Sequence, residues 1–198
     1  MIPFLIWDEI FTRNGVWGFN NEHLLGIYFL NLPLEEILFF IIIPYCCVFT
    51  YEVFLKLPLK KSKFTKSITL IIGIIILALG IVNYEKIYTT VTFTFLGTLL
   101  ITLYFCENKF LKTFYQTYLL ISISFFILIN GILTGGFTGG IMNNPPVWYN
   151  NIETFNIRIW TIPIEDFFYS MLLLLSNIWL YEIFKSKNKK TKKTDILS

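Results

Sequence analysis

Five apolar stretches, each close to the thickness of a bilayer, restrict what this sequence can fold into. They cover residues 32–54, 67–83, 88–106, 113–133 and 161–183. A helix of about 20 apolar residues spans the hydrocarbon core, and in lipid the backbone must satisfy its own hydrogen bonds. Only 15% of the 198 residues are charged, whereas soluble domains carry about 25%. The sequence therefore predicts an all-α polytopic membrane protein with five full transmembrane helices in a single membrane domain, residues 1–198.

A sixth apolar piece, MIPFLIW, comes before the first acidic residue, Asp8. Seven residues are too few to cross a bilayer as a helix. Two interpretations stay open: the start of the chain truncates a first helix, or the piece lies at the membrane interface.

The basic residues predict the orientation. If the five stretches alternate in direction, 13 of the 16 basic residues lie on one side, in the loops 55–66 and 107–112 and in the tail 185–198. By the positive-inside rule this side, including the C-terminus, is cytoplasmic. These residues lie between spans rather than in a patch on a soluble fold, so no nucleic-acid partner is expected. Aromatic residues near the other ends are interpreted as an interfacial belt: Trp17, Tyr28, Trp148, Tyr149 and Trp160.

The two halves of the chain resemble each other at an offset of 130 residues. Residues 19–54 align with 149–184 without a gap, and eight of the 36 positions are identical, mostly polar ones. Upstream, DEIFT at 8–12 resembles NGILT at 130–134. This pattern predicts two repeats, about 1–56 and about 113–184, with linking helices at about 67–106 and a basic cytoplasmic tail at 185–198. Three spans lie between the two matching helices, so both helices cross the membrane in the same direction. The repeats are therefore parallel and related by an axis along the membrane normal.

Each repeat carries two adjacent acids at the start of an apolar stretch. They are Glu35 and Glu36 in the first repeat, and Glu165 and Asp166 in the second. One interpretation is a helix start, because proline and acidic residues favour the first turn. The other is functional, because ionisable groups within a span are costly. Two neighbouring buried carboxyls can hold a protonated acid beside an ionised partner, which suits acid–base chemistry.

Such an acid could protonate a substrate that has no polar group, such as an alkene. The resulting carbocation would be stabilised by aromatic faces. The rings within a turn of the acids are candidates to line the substrate, although simple packing also explains them: Phe39, Phe40, Phe167, Phe168 and Tyr169. The loops 8–31 and 134–160 could cap a cavity that the two acid pairs share.

Three motifs occur in order in the first half of the chain. Asp-(x)3-Thr starts at Asp8, Gly-x-Trp-x-Phe-Asn at Gly15, and Pro-x-Glu-Glu-x-x-Phe-Phe at Pro33. In this the chain resembles the lycopene cyclase domain family, whose members are small membrane carotene β-cyclases. The resemblance covers nearly the whole chain. It is looser in the second half, where Asp166 replaces Glu and the Phe pair is shifted.

The resemblance implies closure of the linear ψ ends of lycopene to β-rings, an isomerisation in carotenoid biosynthesis, in a bacterial-type cell membrane. An acid protonates the terminal double bond, the cation closes the ring, and a base removes a proton. The substrate is then lycopene or a related linear carotenoid. The donor, the number of ends cyclised, the ring type and the oligomeric state stay open. The residues implied are Glu35, Glu36, Glu165 and Asp166 as acid–base candidates, with Asp8, Asn20 and Asn150 as further polar candidates.

Family members usually carry about one more helix before the Trp-Asp segment, so we expect a misassigned start codon here. No cofactor is predicted, because no Gly-x-Gly-x-x-Gly follows a strand. No metal is predicted, because the three cysteines lack metal-binding spacing. The main alternative function is a membrane carrier of protons or a small solute that uses the paired acids. A retinal-binding photoreceptor is disfavoured, since none of the spans 32–54, 67–83, 113–133 and 161–183 contains a lysine for a Schiff base.

Overall fold

The computed structural model describes residues 2–57, 65–106, 110–141 and 143–195, with side chains for these except Thr65 and residues 188–195. The described chain is mostly helical. The helices are α1 (Ile2–Arg13), α2 (Leu34–Leu55), α3 (Thr65–Val82), α4 (Ile87–Phe105), α5 (Leu111–Ile121), α6 (Ile127–Gly131) and α7 (Ile164–Asp195).

Four helical segments of the described chain are long and apolar enough to cross a membrane. They are Leu34–Leu55, Ile87–Phe105, Leu111–Gly136 and Ile164–Lys187, and Lys66–Val82 is a shorter apolar helix. The segment Leu111–Gly136 contains two π-helical pieces, Ser122–Phe126 and Ile132–Gly136. The five predicted stretches are therefore helical. Of the basic residues used to predict orientation, Lys60, Lys61, Lys63 and Lys109 lie outside the described residues.

Helix α1 does not end where the apolar piece ends. It continues through Asp8 to Arg13 and buries Asp8 and Phe11 on one face. These two residues are three positions apart and so lie on the same side of the helix. The Asp8 carboxylate is tolerated inside because Trp17 donates a hydrogen bond to it, at 2.7 Å. The charge that seemed to terminate the apolar piece is thus part of the buried face.

Three short antiparallel ladders, which the prediction of an all-α fold did not include, lie between the helices of the described chain. Strands β1 (Trp17–Phe19) and β4 (Val147–Tyr149) pair across the two halves of the chain, with Gly18 opposite Trp148. Strand β2 (Tyr28–Phe29) pairs with β3 (Leu32–Pro33), and β5 (Arg158–Ile159) with β6 (Ile162–Pro163). Strands of two or three residues carry too little alternation to be predicted from periodicity.

The loops before α2 and α7 have the same local structure 130 residues apart. Asn20 and Asn150 each accept a hydrogen bond from the backbone N–H two residues on, at 3.1 Å. Each Asn precedes a short 3₁₀ turn, Asn21–His23 or Asn151–Glu153. Each hairpin then turns through a residue with positive φ, Leu30 at 58° and Trp160 at 59°.

The buried core lies between α2, α4, α5 and α7. Its fully buried members include Leu96 and Leu100 from α4, Phe114 from α5 and Leu175 from α7. Helix α3 packs closely on α4 through glycine, since a Cβ built on Gly97 would lie only 2.7 Å from the backbone N of Leu77. Small residues allow this approach between helices in a membrane, where packing rather than the hydrophobic effect drives association.

Helices α2 and α7 are tied to each other at the end far from the acids. The hydroxyl of Tyr51, which is fully buried, donates a hydrogen bond to Glu182 at 2.8 Å. In the reciprocal contact, Tyr181 lies against Glu52, which also forms an ion pair with Lys185. Each Tyr-Glu pair thus contacts the other. At the starts of the two helices, Glu36 and Asp166 are electrostatic neighbours, so α2 and α7 run in the same direction.

We expect Tyr51→Phe to lower the free energy of unfolding by about 1.5–3 kcal/mol, because it removes a hydrogen bond to a charged group. The melting temperature of the purified protein in detergent measures this effect. Tyr84→Phe is the matched control, because Tyr84 is 73% exposed. An equal shift in both variants would contradict the role given to the Tyr51–Glu182 hydrogen bond.

Candidate active site

One cavity of about 480 Å³ lies between α2, the segment Leu111–Gly136 and α7. On α2 its lining residues run from Glu36 to Thr50, which is about 21 Å at ~1.5 Å per residue. The lining is largely apolar. Three carboxyl groups interrupt it at one end, from Asp8, Glu36 and Asp166. The cavity is therefore a long apolar groove with acids at its head.

The groove has exposed aromatic residues along its side. Tyr45 and Phe49 on α2 and Phe125 in the π-helical piece Ser122–Phe126 are each more than 60% exposed and also line the cavity. π-helical turns are rare and are often found at functional sites. These side chains are exposed on the surface and also line the cavity. The groove therefore has an opening on the side of the helix bundle, between α2 and the π-helical piece.

The four predicted acids fall into two kinds of position. The second acid of each pair, Glu36 or Asp166, lines the cavity. The first acid of each pair accepts a hydrogen bond from the loop before its own helix. Glu35 accepts from the backbone N–H of Leu25 at 2.7 Å, and Glu165 accepts from that of Phe155.

Glu165 has a further partner in the linking helix. The hydroxyl of Thr89 donates to its Oε1 at 2.6 Å. Its side chain is fully buried. Glu35 and Glu165 thus hold their loops against the helix starts, as the helix-start interpretation expects of acids in a first turn.

Asp166 is surrounded by hydrogen-bond donors. The hydroxyl of Tyr88 donates to Oδ1 at 2.6 Å, and the hydroxyl of Tyr149 and the amide of Asn130 donate to Oδ2 at 2.7 and 2.9 Å. An ionised carboxylate is an acceptor only and can accept several such bonds. The site therefore presents Asp166 with the partners that suit a carboxylate anion.

Glu36 has different surroundings. Its charged neighbours are Asp8 and Asp166. Within the part of the chain that the structure describes, no hydrogen bond to its carboxyl group is found. Asp8 uses one oxygen to accept from Trp17, and its Oδ2 is buried without a partner. The carboxyls of Asp8 and Glu36 therefore have only the Trp17 N–H as a donor among the described residues, and two neighbouring carboxyls of this kind suit a shared proton.

Burial raises the pKa of Asp8 to about 7, from an ordinary value of 3.8, against the opposing hydrogen bond from Trp17. Helix α1 is not among the four segments long enough to span a membrane. In the loops, burial raises the pKa of Tyr149 well above its usual value, and the nearby Asp166 carboxylate adds to this. Burial lowers the pKa of Arg158, whereas Tyr149 and Asp166 oppose that change.

The raised pKa of Asp8 makes stability depend on pH. The folded protein holds a proton that the unfolded chain has already released, so this group's contribution is lost as pH rises from about 4 through about 7. We expect the melting temperature in detergent to fall between about pH 4 and about pH 7. Asp8→Asn should flatten part of that fall, whereas Glu85→Gln, at an exposed carboxylate, should not. An unchanged slope in Asp8→Asn would contradict the burial of an ionisable Asp8.

Aromatic rings surround the acids at the head of the groove. Trp17, Tyr88 and Tyr169 pack edge to face, with ring centroids 4.9–6.3 Å apart. Tyr149 stacks on Tyr88 with centroids 6.1 Å apart. Trp17 and Tyr149 therefore form part of the site, and the interfacial-belt interpretation is wrong for them. Trp148 and Trp160, by contrast, are 42% and 52% exposed.

The other predicted site residues are divided. Phe39, Phe40 and Tyr169 line the cavity. Phe168 packs on Phe93 and Phe167 on Phe126, with centroids 4.6 and 4.9 Å apart. Asn20 and Asn150 cap the 3₁₀ turns described above and are not cavity-lining residues. Among the residues that the structure describes, no group of three or more His, Cys, Asp or Glu side chains could hold a metal ion.

The comparison with known proteins agrees with these features. The sequence pattern of the family described as Lycopene cyclase matches residues 1–54 and 85–184. The chain belongs to the lycopene cyclase family. It is 31% identical over 67 residues to the bifunctional lycopene cyclase/phytoene synthase of Aspergillus niger, a match that covers 34% of this chain and 11% of the fungal protein. No solved structure matches the chain significantly. The predicted resemblance is confirmed, and membership of this family supports a role in carotenoid biosynthesis.

The sequence did not predict the hydrogen-bond donors that surround the acids of this lycopene cyclase family member. Tyr88 and Thr89 begin α4, and Asn130 lies in α6, far from the acids in sequence. One signal was available for Asn130, because it aligns with Asp8 in the DEIFT and NGILT segments. Tyr88 and Thr89 have no counterpart in the repeat, so only the fold could identify them.

Proposed function

We propose that this chain cyclises the linear ψ ends of lycopene, or of a related linear carotenoid, to β-rings by acid–base catalysis. The observation that carries the proposal is the groove itself, which is apolar along its length and ends in three carboxyl groups surrounded by aromatic rings. A hydrocarbon polyene fits such a groove, and its end group would lie at the acids. The family assignment favours the same substrate class.

The proposed reaction is an isomerisation that needs no oxidant or reductant. A carboxylic acid gives its proton to the terminal double bond of the substrate and leaves a tertiary cation. The next double bond along the chain attacks that cation and closes a six-membered ring. A carboxylate then removes the proton from the ring carbon that carries the polyene, and a proton returns to the acid. Positioned acids and bases of this kind typically contribute 10²–10⁴-fold to a rate.

The second acid of each pair is proposed to take part in this chemistry. Glu36 and Asp166 line the cavity, whereas Glu35 and Glu165 accept hydrogen bonds from their loops. Asp8 completes the cluster as the neighbour of Glu36. The rings of Trp17 and Tyr169 would face the cation, because aromatic faces attract positive charge.

The architecture is proposed to be a duplication. Strand pairing of β1 with β4 centres on Gly18 and Trp148, which are 130 residues apart. The same offset relates the caps, the turns and the starts of α2 and α7. Two parallel repeats then bring one acid pair each to a shared cavity.

The chain is proposed to be an integral protein of a bacterial-type cell membrane, with five spans and a cytoplasmic C-terminus. The apolar helices fit an integral membrane protein, and the lysines of the predicted loops and tail favour this orientation. A reporter fused to the C-terminus that is active only in the cytoplasm would test it.

The direct test of function is expression of the chain in a bacterial host that accumulates red lycopene. Conversion to β-carotene or to a product with one β-ring, separated by chromatography, is the expected result. Absence of any cyclised product from well-folded protein would refute the cyclase. Acid-driven solute flux in proteoliposomes, in that case, would favour the carrier.

A further inference from the structure

We propose that the two halves of the acid cluster do different work: Glu36 delivers the proton, and Asp166 acts as the carboxylate that takes one back. Tyr149 and Arg158 are proposed as positioning residues that maintain Asp166 in this role. The inference rests on the proposed cyclase function and assigns the steps that the family resemblance leaves open.

The first difference lies in the partner of each acid. In the second half, the amide of Asn130 donates to Asp166 at 2.9 Å. The aligned residue of the first half is Asp8, a carboxyl that lines the same cavity as Glu36. An amide can donate to an anion, whereas a second carboxyl group beside the first favours one shared proton. The aligned positions therefore favour a proton on Glu36 and a charge on Asp166.

The second difference concerns the position just before each capping asparagine. Tyr149 precedes Asn150 and donates its hydroxyl to Asp166 at 2.7 Å. Its aligned residue, Phe19, has no hydroxyl and also lines the cavity. Asp166 thus gains a donor that Glu36 lacks. Tyr88, from the linking helix α4, adds another donor on the same side only.

The third difference is a positive charge beside Tyr149, which comes from Arg158. The Arg158 guanidinium lies 5.8 Å from the centroid of the Tyr149 ring and donates to Asn151 at 2.8 Å. The aligned Tyr28 donates to Asn21 in the same way and carries no charge. A cation over a phenol ring strengthens its hydroxyl as a donor, so Arg158 supports the Tyr149–Asp166 hydrogen bond.

With these roles the reaction balances within one cavity. The O–H bond of Glu36 breaks as a C–H bond forms on the terminal double bond. After ring closure, the C–H bond next to the cation breaks, its electrons form the ring double bond, and its proton goes to Asp166. Transfer of that proton from Asp166 to the Glu36–Asp8 pair, which lines the same cavity, restores the starting state.

The test uses the full chain in proteoliposomes with unlabelled lycopene in deuterated buffer. We expect Glu36→Gln to lower ring formation about 100-fold or more, because the donor is lost. Asp166→Asn should still form some deuterium-labelled rings. In those rings the double bond should be displaced to the neighbouring methylene or to the methyl group, because no base stands at the usual carbon.

The positioning residues are tested by product and rate together. Tyr149→Phe is expected to lower kcat about 10-fold with little change in KM, because it removes the hydrogen bond to Asp166. Arg158→Gln is expected to lower kcat in the same direction, because it weakens that hydrogen bond. Both should also raise the fraction of displaced double bonds, which a purely structural loss would not do. Arg158→Lys should restore part of the rate. Tyr28→Phe, the aligned control, should leave the rate and the products unchanged.

Several outcomes would overturn the division of work. One is that Glu36→Gln gives displaced double bonds and Asp166→Asn does not. A second is that both variants lose the same fraction of ring formation without displaced products. A third is that Tyr149→Phe and Arg158→Gln give normal products. Absence of cyclised product from the unmodified chain would instead refute the proposed function, so the two failures are distinguishable.

Discussion

Glu36→Gln is expected to abolish cyclisation of lycopene, with the rate reduced about 100-fold or more. The substitution keeps the shape of the side chain but removes the transferable proton from the head of the groove. Glu36 lines the cavity beside Asp8 and Asp166, and glutamine in that position cannot protonate a double bond. The measurement is the ratio of cyclised carotenoid to lycopene in a lycopene-producing host, normalised to the amount of protein in the membrane.

The neighbouring residue provides a matched control. Glu35→Gln makes the same chemical change one position earlier, and the amide oxygen of glutamine can still accept from the N–H of Leu25. We expect this variant to retain most of the activity, and Glu165→Gln to behave in the same way. If Glu35→Gln lost as much activity as Glu36→Gln, the separation of the acids into loop-holding and reacting groups would be wrong.

Gly97→Val is expected to prevent the bundle from assembling normally. A Cβ at this position would lie 2.7 Å from the Cβ and the backbone N of Leu77, and 2.9 Å from the carbonyl oxygen of Gly73. Two of these atoms belong to the backbone of α3, so the helices themselves must move apart. Overpacking of this kind costs about 1–3 kcal/mol, and more where the backbone cannot shift.

The effect is measured as the fraction of protein that elutes as a single folded species in detergent, together with its melting temperature. Thr98→Val is the control, because Thr98 is the next residue of α4 and is exposed. We expect it to be close to neutral. Normal folding of Gly97→Val would mean that α3 and α4 are not packed through this glycine.

Hydropathy was sufficient to predict the helices, because length and apolar character determine which segments can lie in a bilayer. It could not predict that α1 continues past Asp8, since the partner of that charge, Trp17, lies beyond the helix in a strand of three residues. The ladder between β1 and β4 was also beyond sequence reasoning. It joins residues about 130 positions apart through segments too short to show a period.

The predicted repeat indicated the four acids, but it could not say which of them face the cavity. Adjacent residues of a helix project about 100° apart, given 3.6 residues per turn, so Glu35 and Glu36 point in different directions, and the sequence does not say which of them faces the groove. The choice between them depends on where the preceding loop turns back. Hydrogen bonds from Leu25 and Phe155 fix that arrangement, and neither residue has a feature that identifies it in the sequence.

The sideways opening between Tyr45, Phe49 and Phe125 has a kinetic consequence. A substrate that arrives by this route diffuses within the plane of the lipid and never passes through water. The quantity that governs saturation is then the mole fraction of carotenoid in the membrane, not its concentration in the whole sample. Adding empty lipid at constant protein and substrate should therefore slow turnover, whereas adding buffer should not.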